Sequence, residues 1–283
     1  MTRSRTWTQP FTADEARRAK GDHTIAVCLP ALNEEATVGT IVKSIVAELV
    51  DDAGVVDEVI VIDDGSTDDT AAVAREAGAR VVPNSSGVHG KGSALWTSVG
   101  ASSSDLIIWC DSDLEEFTTT YVLGLATPML DDPSVMFVKG AFERPVEGGD
   151  VGGRVTELVA RPILHLLHPG LAHIDQPLGG EYGGRRCVLE SVPFVIGYGV
   201  ELGLLLDIAA RYGTDAIAQV ELGTRVHRRR KLLQLEPQAL EVMMVALDRA
   251  GIDVPERLSL MRRSLPIGTV SIDMLPPHRS PRD

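Results

Sequence analysis

Short apolar runs alternate with amphipathic stretches through the first 110 residues. Residues 24–29 (TIAVCL) end at Pro30, residues 58–62 (EVIVI) end at Asp63-Asp64-Gly65, and residues 80–82 and 106–110 (LIIWC) continue the series. Runs this short, rich in β-branched residues and apolar on both faces, predict strands buried in a parallel sheet. Between them, 36–49, 70–77 and 93–101 read as helices. Asn33 or Glu34 is placed to open the first, and residues 66–69 to open the second. Strand alternating with helix predicts an α/β fold with a mostly parallel, doubly wound central sheet flanked by helices. In such sheets ligands bind at the carboxyl ends of the strands. Asn33-Glu34, Asp63-Asp64 and Asp111-Ser112-Asp113 all fall at that end.

The second half is less regular. Residues 148–153 read as a flexible stretch opening a helix over 154–167, which Pro162 interrupts. Residues 176–184 read as a loop, 200–211 as a helix, and 216–220 as a short strand running into the basic stretch 225–231. Residues 236–250 form a further helix. The proline-bearing tail from about Leu265 is expected to be irregular and mobile.

The composition, 44% hydrophobic and 24% charged over 283 residues, is that of a globular protein of one large domain or two small ones. With 27 basic and 40 acidic side chains the formal charge is −13. This argues against nucleic-acid or anionic-membrane partners. Cys28, Cys110 and Cys187 are far apart and odd in number, so neither a disulfide framework nor a zinc site is indicated. No run approaches the ~20 apolar residues of a membrane span, and the N-terminal residues lack a signal-peptide core. The expected compartment is the cytoplasm.

Several of the polar clusters can carry chemistry. Asp111 and Asp113, one residue apart after a buried strand, can offer oxygens to Mg²⁺ or Mn²⁺ while a diphosphate fills the remaining positions. On a solvated loop the same triplet would mean little, and its place after the fourth strand is what distinguishes it. Glu34 could accept hydrogen bonds from a ribose diol, or simply favour a helix N-terminus. Asp64 could accept a nucleobase N–H, which leaves uracil and guanine both open. His89-Gly90-Lys91-Gly92-Ser93 is not a P-loop, but glycines flanking a lysine at a helix start suit an anion as well as they suit a solvated turn. A Gly-Gly helix start carrying Arg154 is a second anion site.

PALNEE, IDDGSTDDT, GKG and DSD, in this order, resemble the nucleotide half of a Rossmann-like GT-A glycosyltransferase. GGRVTELVARPIL (152–164), QPLGGEY (176–182), GYGVELGLLLD (197–207) and AIAQVELGTRVHRRR (216–230) resemble the actinobacterial glucosyl-3-phosphoglycerate synthases and their mannosyl relatives. The resemblance implies a single GT-A domain. Its nucleotide-sugar half spans 24–113 and its acceptor half 114–235, preceded by an N-terminal extension (1–23) and followed by a C-terminal helix and tail (236–283). It implies a retaining hexosyltransferase using an NDP-sugar, UDP-glucose foremost, a small anionic acceptor such as 3-phosphoglycerate, and Mg²⁺ or Mn²⁺, in a homodimer. The implied nucleotide contacts are Pro30, Ala31, Leu32, Glu34, Asp64, Lys91, Asp111 and Arg230. Asp113 and His227 would hold the metal, and Glu201 the sugar hydroxyls. Gly153, Arg154 and Thr156, with Arg225 and Arg228, would receive the acceptor. Lys91, Asp113 and Glu201 would form the catalytic core.

The sequence departs from the family pattern in carrying Asp64 in place of serine, Glu143 in place of arginine and Arg229 in place of asparagine. These changes keep a paralogue acting on a different phosphorylated or carboxylated acceptor in view. A sugar nucleotidyltransferase and a non-catalytic nucleotide-sugar-binding protein are the competing classes. The first lacks its long Gly-rich triphosphate loop here.

Overall fold

The computed structural model describes residues 5–8, 10–143, 153–224, 235–262 and 265–279. Among these residues the strands are β1 (Thr6–Trp7), β2 (Ile25–Ala31), β3 (Glu58–Asp63), β4 (Arg80–Pro83), β5 (Leu106–Trp109), β6 (Phe137–Glu143), β7 (Tyr182–Arg185), β8 (Phe194–Val195), β9 (Ile217–Thr224), β10 (Arg257–Arg262), β11 (Leu265–Ser271) and β12 (Met274–Leu275). Eight of them form one sheet in the order β1-β9-β6-β7-β5-β2-β3-β4. Every pairing in it is parallel except those of β7, which runs antiparallel to both β5 and β6.

The two-residue period of the strands sorts their apolar side chains into two cores. Val27 and Leu29 of β2, Val59 and Val61 of β3, and Ile108 of β5 face one layer, packed by the helices Val38–Ile45 and Thr120–Asp131. Cys28, Ile60, Ile62, Ile107 and Trp109 face the other, packed by Lys91–Ala101 and Val200–Tyr212. This two-sided burial is why the strands read as continuous apolar runs rather than alternating ones. β3 and β4 lie to one side of β2 and β5 to the other. The strand order therefore reverses at β2, opening a crevice beyond the carboxyl ends of β2 and β5.

Several elements differ from the sequence reading. The first helix starts at Val38 behind Thr37, so neither Asn33 nor Glu34 caps it. Asn33 instead turns the chain at φ 58°, a conformation asparagine tolerates, and its side-chain oxygen accepts the Thr67 amide (2.8 Å). The helix continues as a π-helical stretch, Val46–Asp52. Over 154–167, Pro162 does not break the helix. A π-helical segment (Thr156–Ala160) passes directly into an α-helix (Arg161–Leu167), so the helical run continues through the proline.

Part of the stretch expected as loop, 176–184, is β7. Its sequence, YGGR, has little strand propensity, and β7 exists because β5 and β6 sandwich it. A Cβ on Gly183 would lie 2.6 Å from the Ile108 side chain, so the close approach requires glycine. The strand expected over 216–220 extends to Thr224.

The tail from Leu265, expected to be irregular, forms the β10–β11 hairpin and β12, which pairs with β8. Beyond it, His278 stacks on Trp96 (centroids 4.1 Å apart), Pro276 accepts the Trp96 indole N–H (2.7 Å) and Arg279 pairs with Glu190 (2.6 Å). The N-terminal residues are also built in. β1 extends the sheet beside β9, and Lys20, at the end of the helix Ala13–Lys20, pairs with Asp57 (2.8 Å). All three cysteines are free, with Cys28 and Cys110 buried. No helix among the described residues is long and apolar enough to cross a membrane.

Candidate active site

Three loops meet at the crevice between β2 and β5, and backbone hydrogen bonds lock them together. The Glu34 amide donates to Thr70 Oγ1 (2.7 Å), and the Asp69 amide to Glu35 (2.9 Å), tying the segment after β2 to the one after β3. Ser112 ties β2 to β5: its hydroxyl donates to the Pro30 carbonyl (2.7 Å), while its own carbonyl accepts from Thr37 (2.6 Å). Ser112 is thereby turned inward, leaving Asp111 and Asp113 to flank it. Asp113 is exposed at the mouth of the crevice, with Leu32 and, less openly, Pro30 and Glu34; Ala31 is buried beneath them.

Lys91, at the first position of its helix, connects the clusters. Its ammonium contacts Asp111 (2.8 Å) and Glu201 (2.6 Å), the latter in the first turn of Val200–Tyr212. Burial alone would lower this lysine's pKa, but Asp111 and Glu201 outweigh it and hold the group well above its ordinary value. Gly92 lets this helix end sit tightly on β8, since a Cβ there would overlap the Val195 carbonyl.

Asp64, 7% exposed, directs its carboxylate at the lysine loop. It accepts from the Gly90 amide (2.9 Å) and the Asn84 side chain (2.6 Å) and faces His89 (3.2 Å). The helix bearing Glu201 is held from outside: Glu241, on Glu236–Arg249, accepts the Gly199 amide (2.9 Å). Burial raises the pKa of that carboxyl.

Gly153, Arg154 and Thr156 begin the helical segment that packs on Glu236–Arg249, with Arg154 exposed and Thr156 buried. Arg225, His227, Arg228 and Arg230 lie outside the described residues.

Sequence reasoning gave no role to Lys139 of β6, to Glu181 just before β7 or to Tyr182 at its start, all fully buried. Lys139 faces Tyr182 across the β6–β7 pairing, and its ammonium lies 4.2 Å from the tyrosine ring centroid. A lysine inside the apolar run MFVKGAF was the available signal.

The donor set suits a hard divalent cation in part. Asp113 offers exposed carboxylate oxygens, whereas Asp111 is engaged by Lys91. No group of three His, Cys, Asp or Glu side chains among the described residues could enclose a metal. A cation at Asp113 would therefore need further donors from a ligand or from outside the described residues.

The model of glycosyl transferase family 2 matches residues 26–186, from β2 through β7. A glucosyl-3-phosphoglycerate synthase of Mycolicibacterium paratuberculosis is 48% identical over 88% of this chain and 79% of its own length. One from Petrotoga mobilis is 42% identical over 82% of this chain and 75% of its own. Among solved structures, the Mycobacterium tuberculosis glucosyl-3-phosphoglycerate synthase in complex with Mn²⁺, UDP and glucosyl-3-phosphoglycerate is 43% identical. It superposes with a TM-score of 0.89, covering 98% of this chain and 99% of that one. The same enzyme with Mn²⁺, UDP-glucose and phosphoglyceric acid gives a TM-score of 0.88 at 44% identity, covering 97% of each chain. With the reversed strand order at β2, its acidic strand ends and these matches across nearly the whole length, the chain belongs to glycosyl transferase family 2 and, within it, to the glucosyl-3-phosphoglycerate synthases.

Proposed function

We propose that this protein transfers glucose from UDP-glucose to the free hydroxyl of 3-phosphoglycerate, with Mg²⁺ or Mn²⁺ bound and with retention of anomeric configuration. The observation that carries the reading is the Lys91 ammonium held between Asp111 and Glu201 at the switch point of the sheet. One cation is thereby fixed where a diphosphate leaving group would gain charge, the placement that electrostatic catalysis requires. Pro30, Ala31, Leu32 and Glu34 line the nucleotide side, and Asp64 shapes the loop that delivers Lys91. Asp111 orients Lys91, and Glu201 positions the sugar hydroxyls. Asp113 and His227 hold the divalent cation, which when bound supplies further positive charge to the diphosphate.

Gly153, Arg154 and Thr156 receive the acceptor's carboxylate and phosphate, and Arg225, Arg228 and Arg230 add positive charge around both substrates. The bond from the sugar's anomeric carbon to the diphosphate breaks, and the acceptor oxygen bonds to that carbon on the same face. The departing phosphate oxygen takes the acceptor's proton, so no separate carboxylate base is needed. Retention and a homodimeric state rest on the family resemblance. The free cysteines fit a reducing cytoplasm.

The test is a mass-spectrometric assay of UDP- and GDP-glucose against 3-phosphoglycerate and related phosphorylated and carboxylated acids, with Mg²⁺ or Mn²⁺. A glucosyl-phosphoglycerate product with UDP release is expected, and Asp113→Ala should abolish it. Product formation from a different acceptor only would point to the paralogue, consistent with Glu143 in place of arginine. Pyrophosphate release from an NTP, or full metal-dependent transfer by Asp113→Ala, would overturn the assignment.

A further inference from the structure

The loop before β7 forms one wall of the site, and Lys139 holds that wall. The Lys139 ammonium, fully buried, donates to the carbonyl oxygen of Gly179 (2.7 Å). One residue on, the Gly140 amide donates to the Glu181 carbonyl (2.9 Å). These two bonds pin residues 179–181 to β6 at successive positions. Between them lies Gly180, whose backbone runs so close to Asp111 that a Cβ there would overlap the Asp111 carboxylate. Asp111 is the residue that holds Lys91, and Lys91 in turn contacts Glu201. A chain of direct contacts therefore runs from Lys139 through the Gly179-Gly180 backbone to the ion-paired core.

We propose that Lys139 is a positioning residue for the transfer reaction: through the Gly179 carbonyl it sets how closely the 176–181 loop presses on Asp111, and so where Lys91 and Glu201 stand against the donor sugar. This rests on the glucosyl-transfer reading given above.

Lys139 is also coupled to the ion-paired core through its charge. Burial is the largest influence on Lys139 and lowers its pKa to about 7, with Glu201 and Glu181 opposing it and Lys91 reinforcing it. An ammonium in such surroundings is costly to bury, and its loss would leave the Gly179 carbonyl without this donor and take positive charge from beside Glu201 and Glu181. Neutral and charged forms both carry an N–H for Gly179, so the loop is held on either side of that value.

Lys139→Met and Lys139→Gln separate the possibilities, measured beside the wild type for kcat and KM with UDP-glucose, for Kd of UDP, and for melting temperature. The expected result for Lys139→Met is a melting temperature lowered by no more than a few degrees and a UDP Kd within about twofold of wild type. Its kcat should fall on the order of 100-fold, the effect of misplacing reacting groups by about 1 Å. Lys139→Gln keeps a side-chain N–H donor and should recover part of the rate. A kcat within twofold of wild type in Lys139→Met overturns the proposal. So does a parallel loss of melting temperature, UDP affinity and rate in both variants, which marks a purely structural role. Should Lys139→Met fail to fold, Lys139→Thr, too short to reach the Gly179 carbonyl, decides in its place: a kcat within twofold of wild type overturns the proposal, and a reduced kcat with intact UDP binding supports it. A wild type without glucosyl transfer refutes the functional reading instead, a distinct outcome.

Discussion

Among the described residues, replacing Lys91 by methionine removes the one cation that contacts both Asp111 and Glu201, while keeping most of the side-chain volume. At an effective dielectric of about 20, ammonium–carboxylate separations of 2.8 and 2.6 Å correspond to gross attractions of about 6 kcal/mol each. Desolvation offsets much of this, since the lysine side chain is 20% exposed and that of Glu201 only 5%. The net effect of taking this partner from two carboxylates is a destabilisation of about 3–5 kcal/mol. For a chain of this size that is a fall in melting temperature on the order of 10 °C. The rate should drop more sharply. A charge-stabilising group aimed at a leaving diphosphate contributes about 10²–10³-fold, so Lys91→Met should lose that factor in kcat while UDP-glucose still binds. Scanning calorimetry and a UDP-release assay read the two effects separately. Adding Asp111→Asn to Lys91→Met removes one of these two charges and should restore several degrees of melting temperature without restoring rate. Turnover by Lys91→Met within threefold of wild type, or recovery of turnover in the double variant, would refute the role given to this lysine.

Other perturbations probe the surroundings of that ion-paired core. Gly180→Ala should push the 179–181 backbone off Asp111 and cut kcat by at least tenfold, with the far-ultraviolet circular dichroism spectrum preserved; an unchanged rate would show that the loop's closeness is immaterial. Glu58 contributes to acid stability. Burial raises its pKa, but hydrogen bonds from Ser102 (2.6 Å), Arg80 (2.8 Å) and Ser104 (3.2 Å) outweigh that, leaving it below the ordinary 4.5. The folded state thus holds this proton more weakly than the unfolded chain. The stabilisation is complete above about pH 5 and is lost as pH falls through the folded pKa. Urea unfolding should therefore show Glu58→Gln less stable than wild type at pH 7, with the gap closing toward pH 3; a gap that widens on acidification contradicts this.

What the amino-acid sequence determined by itself is the first half of the sheet. Strands buried on both faces must be apolar at every position, so β2, β3 and β5 announce themselves as unbroken runs of Ile, Val and Leu. The handedness of strand–helix–strand connections then sends the residues after each run to one end of the sheet. Glu34, Asp64, Asp111 and Asp113 could be collected on that basis alone, and the motifs of the second half carried the family. Local pattern could not reach the elements whose stability comes from distant neighbours. β7 is a Tyr-Gly-Gly-Arg strand that exists because β5 and β6 enclose it, and the C-terminal residues are ordered by β8, Trp96 and Glu190.

The same holds for the chemistry. Lys91 and Glu201 are 110 positions apart (201 − 91), and only packing of their helices on a shared core makes them an ion pair. Lys139 looks like an interruption in an apolar strand until the antiparallel register sets it beside Tyr182 and beneath Gly179. Side-chain periodicity is a property of a few consecutive residues and can be read along the chain, whereas charge pairing and close backbone approach depend on segments that meet only after folding.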